Sequence, residues 1–181
     1  MRNVLKGRDT LALLPTGGGK SLCFQVPALA MGKLCLVVSP LIALMKDQVE
    51  RLHSMGITAR AIVSGMSYAE IENALESAAV GKLSFLYVSP ERLGSELFMA
   101  RLPRLPLGLI AVDEAHCLSQ WGYDFRPSYL KVKDVREKRP EVPVLALTAT
   151  ATPTVADDIL DKLAFAKPNL LRGDFHRPEL V

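Results

Sequence analysis

The 181-residue chain has few of the features that would place it outside the ordinary globular proteins. Its three cysteines, Cys23, Cys35 and Cys117, lie far apart and form no C-x-x-C pair, so they are most simply small core residues in a reducing compartment, and a zinc site is not expected. No apolar run approaches the roughly 18–20 residues of a membrane helix. The segment 1–9 lacks the apolar centre of a signal peptide. These absences predict an intracellular protein with no membrane partner.

The chain also lacks a strong excess of charge of one sign. The chain has 22 Lys and Arg residues against 19 Asp and Glu residues, a net charge of +3, which permits a nucleic-acid partner without demanding one. Hydrophobic residues make up 49% of the sequence, which favours a packed core over disorder. The length suits a single domain with a sizeable core, and no repeat or linker precedes Pro168.

Short apolar runs alternate with helical patterns along the whole chain. Runs such as Leu34–Val38 and Leu107–Val112 show no polar alternation, which is typical of strands covered on both faces. The sequence therefore predicts an α/β domain with a mostly parallel central sheet. The predicted strands are 10–14, 34–38, 58–63, 84–88, 107–112, 142–147 and a short one at 170–171. The predicted helices are 2–6, 19–31 with a kink or early end at Pro27, one from each of Ser39-Pro40, Ser67 and Ser89-Pro90, 127–139 and 152–163.

The first predicted strand leads into a glycine-rich loop and then a helix. Glycines allow backbone N–H groups to converge on an anion, and the start of a helix adds positive potential. Lys20 would contact the outer phosphates of a nucleotide, and the Ser21 hydroxyl would bind Mg²⁺. Leu14 stands where the first glycine of the usual phosphate-loop pattern belongs, so a flexible turn beside a surface lysine remains an alternative. The candidate nucleotide-binding residues are Thr16, Gly17, Gly18, Gly19, Lys20 and Ser21.

Two acidic residues directly follow the predicted strand 107–112. A phosphate loop needs a second Mg²⁺ anchor, and a carboxylate at the end of a neighbouring strand is a common solution. Asp113 would hold Mg²⁺ together with Ser21, and Glu114 would orient and deprotonate the attacking water. An ordinary acidic turn is the alternative, and the phosphate loop upstream makes the catalytic interpretation much the stronger one.

Three further strand ends carry polar residues. At Ser39-Pro40 and Ser89-Pro90, exposed N–H groups and a hydroxyl could bind phosphate oxygens, although simple helix capping explains either pair equally well. Thr148 and Thr150 follow a later strand, and they could bind a phosphate or relay a change near the Mg²⁺ site. A polar turn is the alternative for these two threonines.

Aromatic residues are scarce, and they cluster in one segment. Of eleven aromatics (one Trp, four Tyr and six Phe), four fall within 121–129, where Gly122 and Pro127 indicate a loop. Aromatic faces beside an arginine form a stacking platform for single-stranded bases, and the candidates are Trp121, Phe125 and Arg126. A loop that packs its own aromatics is the alternative. The basic stretch 131–139 is predicted to be a solvated helix face.

Together these motifs resemble the superfamily 2 helicases, and within them the RecQ family of DNA helicases. The resemblance runs from about Lys6 to Pro178. Segment 15–21 is similar to motif I, 39–48 to motif Ia, and 87–93 to the next DNA-contacting motif. Residues 113–116 read Asp-Glu-Ala-His, a DEAH box. Segment 121–126 is similar to the aromatic-rich loop that couples DNA contact to ATP hydrolysis in RecQ enzymes, and 147–152 is similar to motif III.

The resemblance implies a P-loop NTPase of RecA-like, three-layer architecture over residues 1–172. Residues 173–181 would begin the connection to a second RecA-like domain. It implies ATP and Mg²⁺ as cofactors, single-stranded and duplex DNA as partners, 3′-to-5′ movement, and a role in DNA recombination and repair. It also implies that Arg92 contacts DNA, that Gln120 takes part in coupling, and that His116 links the nucleotide site to motif III.

The same family places an adenine-contacting Gln motif upstream of motif I and an arginine finger on the second RecA-like domain. Neither lies within these 181 residues, so we expect the isolated chain to bind Mg-nucleotide weakly and not to unwind DNA. Two other functions remain open. One is a P-loop kinase or other DNA-independent NTPase, and the other is a non-catalytic helicase remnant that only holds nucleic acid.

Overall fold

The computed structural model describes residues 1–15, 17, 19–165, 167 and 169–173. Within this part of the chain seven strands form one sheet, and every neighbouring pair is parallel. The strands are β1 (Thr10–Leu13), β2 (Leu34–Val38), β3 (Ala59–Ile62), β4 (Phe85–Val88), β5 (Leu107–Val112), β6 (Val144–Thr148) and β7 (Leu170–Arg172). Their order across the sheet is β3-β4-β2-β5-β6-β1-β7.

Helices connect almost all of these strands. The α-helices are α1 (Arg2–Leu5), α2 (Lys20–Met31), α3 (Ile42–Ser54), α4 (Tyr68–Ala79), α5 (Pro90–Leu93), α6 (Glu96–Arg101), α7 (Lys131–Lys138) and α8 (Pro153–Lys162). Three 3₁₀ helices lie at Leu102–Arg104, Ala115–Leu118 and Pro127–Leu130. None of the helices in the described part of the chain is both long and apolar enough to cross a membrane.

The sheet separates two apolar cores. Successive residues of a strand point to opposite faces. Because both faces are covered at the centre of the sheet, the inner strands β2, β4 and β5 are apolar on both faces. The outer strands differ, since β3 carries the exposed Arg60 and all of β7 is exposed. One core contains side chains of α1, α2 and α3, such as Phe24 and Met45. The other contains side chains of α4 to α8, such as Leu75, Phe98 and Ile159. The predicted three-layer α/β domain is confirmed, and in the described residues the sheet is wholly rather than mostly parallel.

The helix predicted to begin at Ser39-Pro40 begins later, at Ile42. The Ser39 N–H donates to the carbonyl of Val88 (3.4 Å), so the strand pairing continues past β2. Leu41, with φ −107° and ψ 97°, is still extended. The second prediction, a helix from Pro90, is correct, but α5 has only four residues. Neither serine hydroxyl caps its helix, so the capping interpretation of both was wrong.

Other boundaries differ from the predictions in smaller ways. Helix α2 continues through Pro27, whose ring is buried, and that burial offsets the hydrogen bond that proline cannot make. The helix predicted over 127–139 is a 3₁₀ turn followed by α7. Helix α6 was not predicted; the Ser95 hydroxyl accepts from the Phe98 N–H and caps it. The predicted capping box of Ser67 and Glu70 is present at α4.

An ion pair anchors the edge of the sheet opposite the strands' carboxyl ends. Arg136 Nη2 donates to Asp9 Oδ2 (2.7 Å), and the Val144 N–H donates to Asp9 Oδ1 (2.9 Å). The two side chains are only 16% and 11% exposed. Asp9 therefore connects the start of β1 to α7 and to the start of β6.

We expect Asp9→Ala to lower the free energy of unfolding by about 3 kcal/mol, because it leaves the Arg136 guanidinium and a backbone N–H without their acceptor. Urea denaturation followed by circular dichroism measures the change. Asp47→Asn is the control, since Asp47 is exposed on α3 and forms no side-chain hydrogen bond among the described residues. A loss for Asp9→Ala no larger than that of the control would contradict the assigned role.

Candidate nucleotide site and aromatic loop

The glycine-rich loop connects β1 to α2 at the carboxyl edge of the sheet. Gly17 and Gly19 have φ values of 81° and 72°, a left-handed conformation that glycine adopts without steric cost. Helix α2 then begins at Lys20. A cleft of about 440 Å³ adjoins the loop between α2 and α3. Its lining includes Gly17, Gly19, Lys20, Ser21 and Gln25. Thr16 and Gly18 lie outside the described residues, so their predicted role stays a prediction.

The structure brings together four side chains that the sequence placed on three separate segments. Lys20 Nζ lies 3.2 Å from Glu114 Oε1, and the two side chains are 16% and 22% exposed. The other Glu114 oxygen, Oε2, lies 3.3 Å from Nδ1 of His116. The same His116 nitrogen lies 2.9 Å from Thr148 Oγ1. We call these four residues the relay cluster: Lys20, Glu114, His116 and Thr148.

The hydrogen-bond geometry gives each member of the relay cluster a role as donor or acceptor. Because a carboxylate can only accept, the tautomer with its proton on His116 Nδ1 is the one that donates to Glu114, and Thr148 Oγ1 lies within reach of the same nitrogen. Thr148 in turn donates to the carbonyl of Thr150 (3.3 Å) and accepts from the Thr150 N–H (3.3 Å). A continuous chain of contacts therefore leads from the phosphate loop to the turn after β6.

The backbone at Glu114 is in a left-handed conformation, with φ 48° and ψ 46°. A residue with a Cβ atom is strained by about 1–2 kcal/mol there. The Glu114 N–H donates to Asp113 Oδ1 (3.0 Å), and the Tyr129 hydroxyl donates to the Asp113 carbonyl (2.9 Å). These bonds hold the strained turn in place, and strain of this kind is typical of functional positions.

The two adjacent carboxyl groups have pKa values displaced in opposite directions. Burial raises the pKa of Asp113, and the negative charge of Glu114 raises it further. The hydrogen bond from His116 lowers the pKa of Glu114, burial opposes this shift, and the Lys20 charge adds to the lowering. Neighbouring carboxyls whose pKa values are pushed apart are characteristic of sites that divide acid and base roles.

The residues predicted to hold Mg²⁺ supply suitable oxygen ligands. Mg²⁺ prefers hard oxygen donors, and Ser21 offers a hydroxyl at the start of α2 while Asp113 offers a carboxylate at the end of β5. Asp113 is only 6% exposed. A nearby cation would stabilise the ionised form of this buried carboxylate, because it would counteract both causes of the raised pKa of Asp113. Its role as a metal ligand stays a prediction.

Most of the residues predicted to contact DNA through their side chains are buried or already bonded. Ser39 and Ser89 are each 1% exposed, and their hydroxyl oxygens have no hydrogen-bond partner among the described residues. Pro90 is buried, and Pro40 is half-buried beside the relay cluster. Arg92 Nε donates to the carbonyl of Val63 (3.3 Å). DNA contact by these residues stays a prediction, and a hydroxyl contact would require local movement.

The aromatic segment is a loop, as predicted, and its aromatics differ in their surroundings. Tyr129 is fully buried, Phe125 is half-buried, and Trp121 is 74% exposed. Arg126 Nη2 pairs with Asp124 Oδ2 (3.0 Å), which lowers the pKa of the Asp124 carboxyl. Gln120 is exposed at the start of the loop.

Tyr123 is a residue of this loop to which the sequence assigned no role. Its ring stacks on the ring of His116, with centroids 5.1 Å apart and an interplanar angle of 20°. Its hydroxyl lies 3.1 Å from Thr150 Oγ1. No local sequence pattern predicts the contacts of Tyr123 with His116 and Thr150. Its position between Trp121 and Phe125 was the only signal in the sequence for a role of this residue.

Comparison with known proteins agrees with this architecture. The family model described as DEAD/DEAH box helicase matches residues 1–159. The chain is 46% identical over 175 residues to the ATP-dependent DNA helicase RecQ of Bacillus subtilis, covering 96% of this chain and 30% of that relative. It is 43% identical over 176 residues to the RecQ of Pasteurella multocida, covering 97% of this chain and 28% of that relative. The chain thus spans less than a third of these relatives' length.

The fold also matches a solved structure. The helicase domain of Hef from Pyrococcus furiosus superposes with a TM-score of 0.70 at 20% sequence identity, covering 93% of this chain and 36% of that one. This likeness concerns the fold. The family model covers the phosphate loop, the relay cluster, the DEAH box and the aromatic loop, and the similar curated relatives are RecQ helicases, as the motifs implied. The chain belongs to the DEAD/DEAH box helicase family.

Proposed function

We propose that this chain is the ATP-binding motor domain of a RecQ-type DNA helicase. In this proposal it couples hydrolysis of Mg-ATP to movement along single-stranded DNA and to separation of duplex DNA, in the 3′-to-5′ direction by family resemblance. It would act inside the cell in DNA recombination and repair. The observation that supports the proposal most is the relay cluster, because it joins a phosphate loop to a loop of exposed aromatics through direct side-chain contacts.

Each residue of the nucleotide site receives a specific role. Lys20 would neutralise charge on the outer phosphates, and Ser21 and Asp113 would hold Mg²⁺. The metal ion would supply further neutralisation of phosphate charge. Glu114 would orient the attacking water and accept its proton. His116 keeps the Glu114 carboxylate oriented through the 3.3 Å contact at Oε2.

Lys20 cannot bind Glu114 and a phosphate group equally well at the same moment. Lys20 and Glu114 form an ion pair. A nucleotide phosphate would draw Lys20 away from this pair, and Glu114 would then be left with His116 alone. Loss of the lysine charge raises the pKa of Glu114, which makes it a better base when substrate is bound.

The test is single-turnover hydrolysis of labelled ATP by an excess of the 181-residue chain, with Mg²⁺, in the presence and absence of an oligothymidine strand. We expect slow hydrolysis that the strand accelerates, and no separation of duplex DNA. A rate of hydrolysis that the DNA strand does not change would favour the kinase or DNA-independent NTPase. An affinity for DNA that neither nucleotide nor the Lys20→Ala substitution changes would favour the non-catalytic remnant. Robust unwinding by this chain would contradict the assigned partial role.

A further inference from the structure

Three side chains with different donor atoms meet just after the DEAH box. A ring nitrogen of His116, the sulfur of Cys117 and a carboxylate oxygen of Asp124 all lie within 4.8 Å of one another. His116 and Cys117 are buried, whereas the side chain of Asp124 is 40% exposed. Among the described residues this is the one group of three or more His, Cys, Asp or Glu side chains with such spacing. We call these three residues the His-Cys-Asp cluster.

The His-Cys-Asp cluster forms because the chain folds back after Cys117. The Arg126 N–H donates to the Cys117 carbonyl (2.9 Å), which brings the intervening residues alongside the 3₁₀ helix Ala115–Leu118. The Cys117 thiol then donates to Asp124 Oδ2 (3.6 Å). Because only one cysteine takes part, the spacing of cysteines along the sequence could not predict this cluster.

Bonds to charged neighbours already orient two of the three donors. His116 Nδ1 lies 3.3 Å from Glu114 Oε2, which leaves the lone pair of the other ring nitrogen, Nε2, available to a metal ion. Asp124 Oδ1 accepts from Arg126 Nε (3.3 Å), and Arg126 Nη2 contacts Oδ2 (3.0 Å). A metal ion on Oδ2 would replace the second contact and leave the first. A carboxylate behind a histidine and a hydrogen bond behind a carboxylate are the usual supports of metal ligands.

A cleft gives access to the His-Cys-Asp cluster. Its volume is about 250 Å³, and its lining includes His116 and Asp124. The half-exposed carboxylate of Asp124 would make the first contact with an incoming cation. One carboxylate and one thiolate would then balance the charge of a divalent ion, as a buried ion requires.

We propose that His116, Cys117 and Asp124 bind a Zn²⁺ ion, with a water molecule from the cleft as the fourth ligand. Zn²⁺ accepts nitrogen, sulfur and oxygen ligands together, whereas Mg²⁺ prefers oxygen alone. Tetrahedral bonds of about 2.0–2.3 Å place ligand atoms roughly 3.5 Å apart, so the cluster needs to contract by only about 1 Å. Binding converts the Cys117 thiol to a thiolate and releases its proton to solvent.

Zinc in the His-Cys-Asp cluster would slow ATP hydrolysis, and this consequence rests on the proposed function. A Zn²⁺ ion on Nε2 of His116 makes the Nδ1–H group a stronger donor to Glu114, and its charge lowers the pKa of Glu114 further. A weaker base removes the proton of the attacking water less readily. The cluster would therefore be an inhibitory site, separate from the Mg²⁺ ligands proposed at Ser21 and Asp113.

The first test titrates the reduced chain with Co²⁺, a coloured substitute for Zn²⁺, in the presence of excess Mg²⁺. We expect one Co²⁺ per chain, a sulfur-to-cobalt charge-transfer band, the intense visible bands of tetrahedral cobalt, and displacement by Zn²⁺. Cys117→Ser should abolish the charge-transfer band, and Asp124→Asn should weaken binding about tenfold or more. Cys23→Ser is the matched control, because Cys23 is a half-buried thiol on α2 outside the cluster.

Three results of this titration would overturn the zinc site. They are a charge-transfer band that survives Cys117→Ser, equal loss of the band in Cys23→Ser, and unchanged affinity in Asp124→Asn. Octahedral cobalt spectra alone would also overturn it, since they indicate adventitious binding to surface carboxylates. Asp124→Asn keeps the size of a half-exposed side chain, so its result does not depend on whether Cys117→Ser folds. Melting temperatures check both variants.

The second test measures single-turnover ATP hydrolysis with and without one equivalent of Zn²⁺. We expect Zn²⁺ to slow the unsubstituted chain and Cys23→Ser roughly three- to tenfold, as for a base whose pKa falls by about one unit. It should leave the rate of Asp124→Asn unchanged. Equal inhibition of Asp124→Asn would overturn the inhibitory role. A chain that binds Co²⁺ through Cys117 but hydrolyses no ATP would overturn the proposed function and the inhibitory role, and the zinc site would stand.

Discussion

Lys20→Ala should weaken binding of Mg-ATP by about 10- to 100-fold. A charge-assisted hydrogen bond from lysine to phosphate contributes about 1.5–3 kcal/mol, and each 1.4 kcal/mol is a tenfold change in affinity. Titration of a fluorescent ATP analogue against the 181-residue chain measures the loss. Lys33→Ala is the control, because Lys33 is exposed just before β2, at the opposite edge of the sheet.

The same substitution also removes the ion-pair partner of Glu114. The chain should nonetheless fold, because the Glu114 carboxylate keeps its 3.3 Å contact with His116 and the Glu114 N–H keeps its bond to Asp113. The melting temperature should therefore change by only a few degrees. Retained nucleotide affinity in Lys20→Ala would mean that the glycine-rich loop does not bind phosphate in the assigned way.

Glu114→Gln should slow ATP hydrolysis by about 10²- to 10⁴-fold, the usual contribution of a general base. Glutamine keeps the size of the side chain but cannot accept the proton of the attacking water. Nucleotide affinity should stay the same or increase, because Lys20 loses the carboxylate that competes with phosphate for it. Single-turnover hydrolysis and the fluorescent titration measure the two quantities on one protein preparation.

The control for this substitution is Glu137→Gln, which removes the same charge from the exposed face of α7. The combination of lost hydrolysis and retained binding is what distinguishes a base from a structural carboxylate. If Glu114→Gln lost affinity and hydrolysis in equal measure, the residue would have to be assigned to nucleotide binding instead.

The opposite pKa shifts of Glu114 and Asp113 support the different roles proposed for these two residues. The hydrogen bond from His116 keeps the pKa of Glu114 low, so this carboxyl is ionised at neutral pH, which is the form that a base requires. Burial raises the pKa of Asp113, so this carboxylate is stabilised only when a cation lies close to it. In the proposed mechanism the same pair of adjacent acidic residues would thus supply one base and one metal ligand.

The layers of the fold and the position of the site could be predicted because both follow from local patterns. Apolar runs without alternation indicate buried parallel strands, as Leu34–Val38 did. Polar residues directly after such runs meet at one edge of a parallel sheet, and Lys20, Glu114 and Thr148 all follow such runs. The family motifs gave the same residues independently.

The parts that could not be predicted depend on contacts between distant segments. The delayed start of α3 follows from pairing of Ser39 with Val88 on another strand. The contacts of Tyr123 depend on how the loop folds back over His116. The partner of Arg126 is Asp124, two residues away, but only the loop conformation decides whether such neighbours meet. Ser39 and Ser89 differ from the capping serines Ser67 and Ser95 because their hydroxyls are buried and have no hydrogen-bond partner among the described residues.

The left-handed backbone at Glu114 has an evolutionary consequence. Glycine at this position would relieve about 1–2 kcal/mol of strain, a large share of the margin by which a domain of this size stays folded. Selection for the proposed hydrolysis would oppose a change to glycine that relief of this strain alone would favour. In the proposed mechanism, the strain at residue 114 is the loss of stability that accompanies holding the base beside Lys20 and His116.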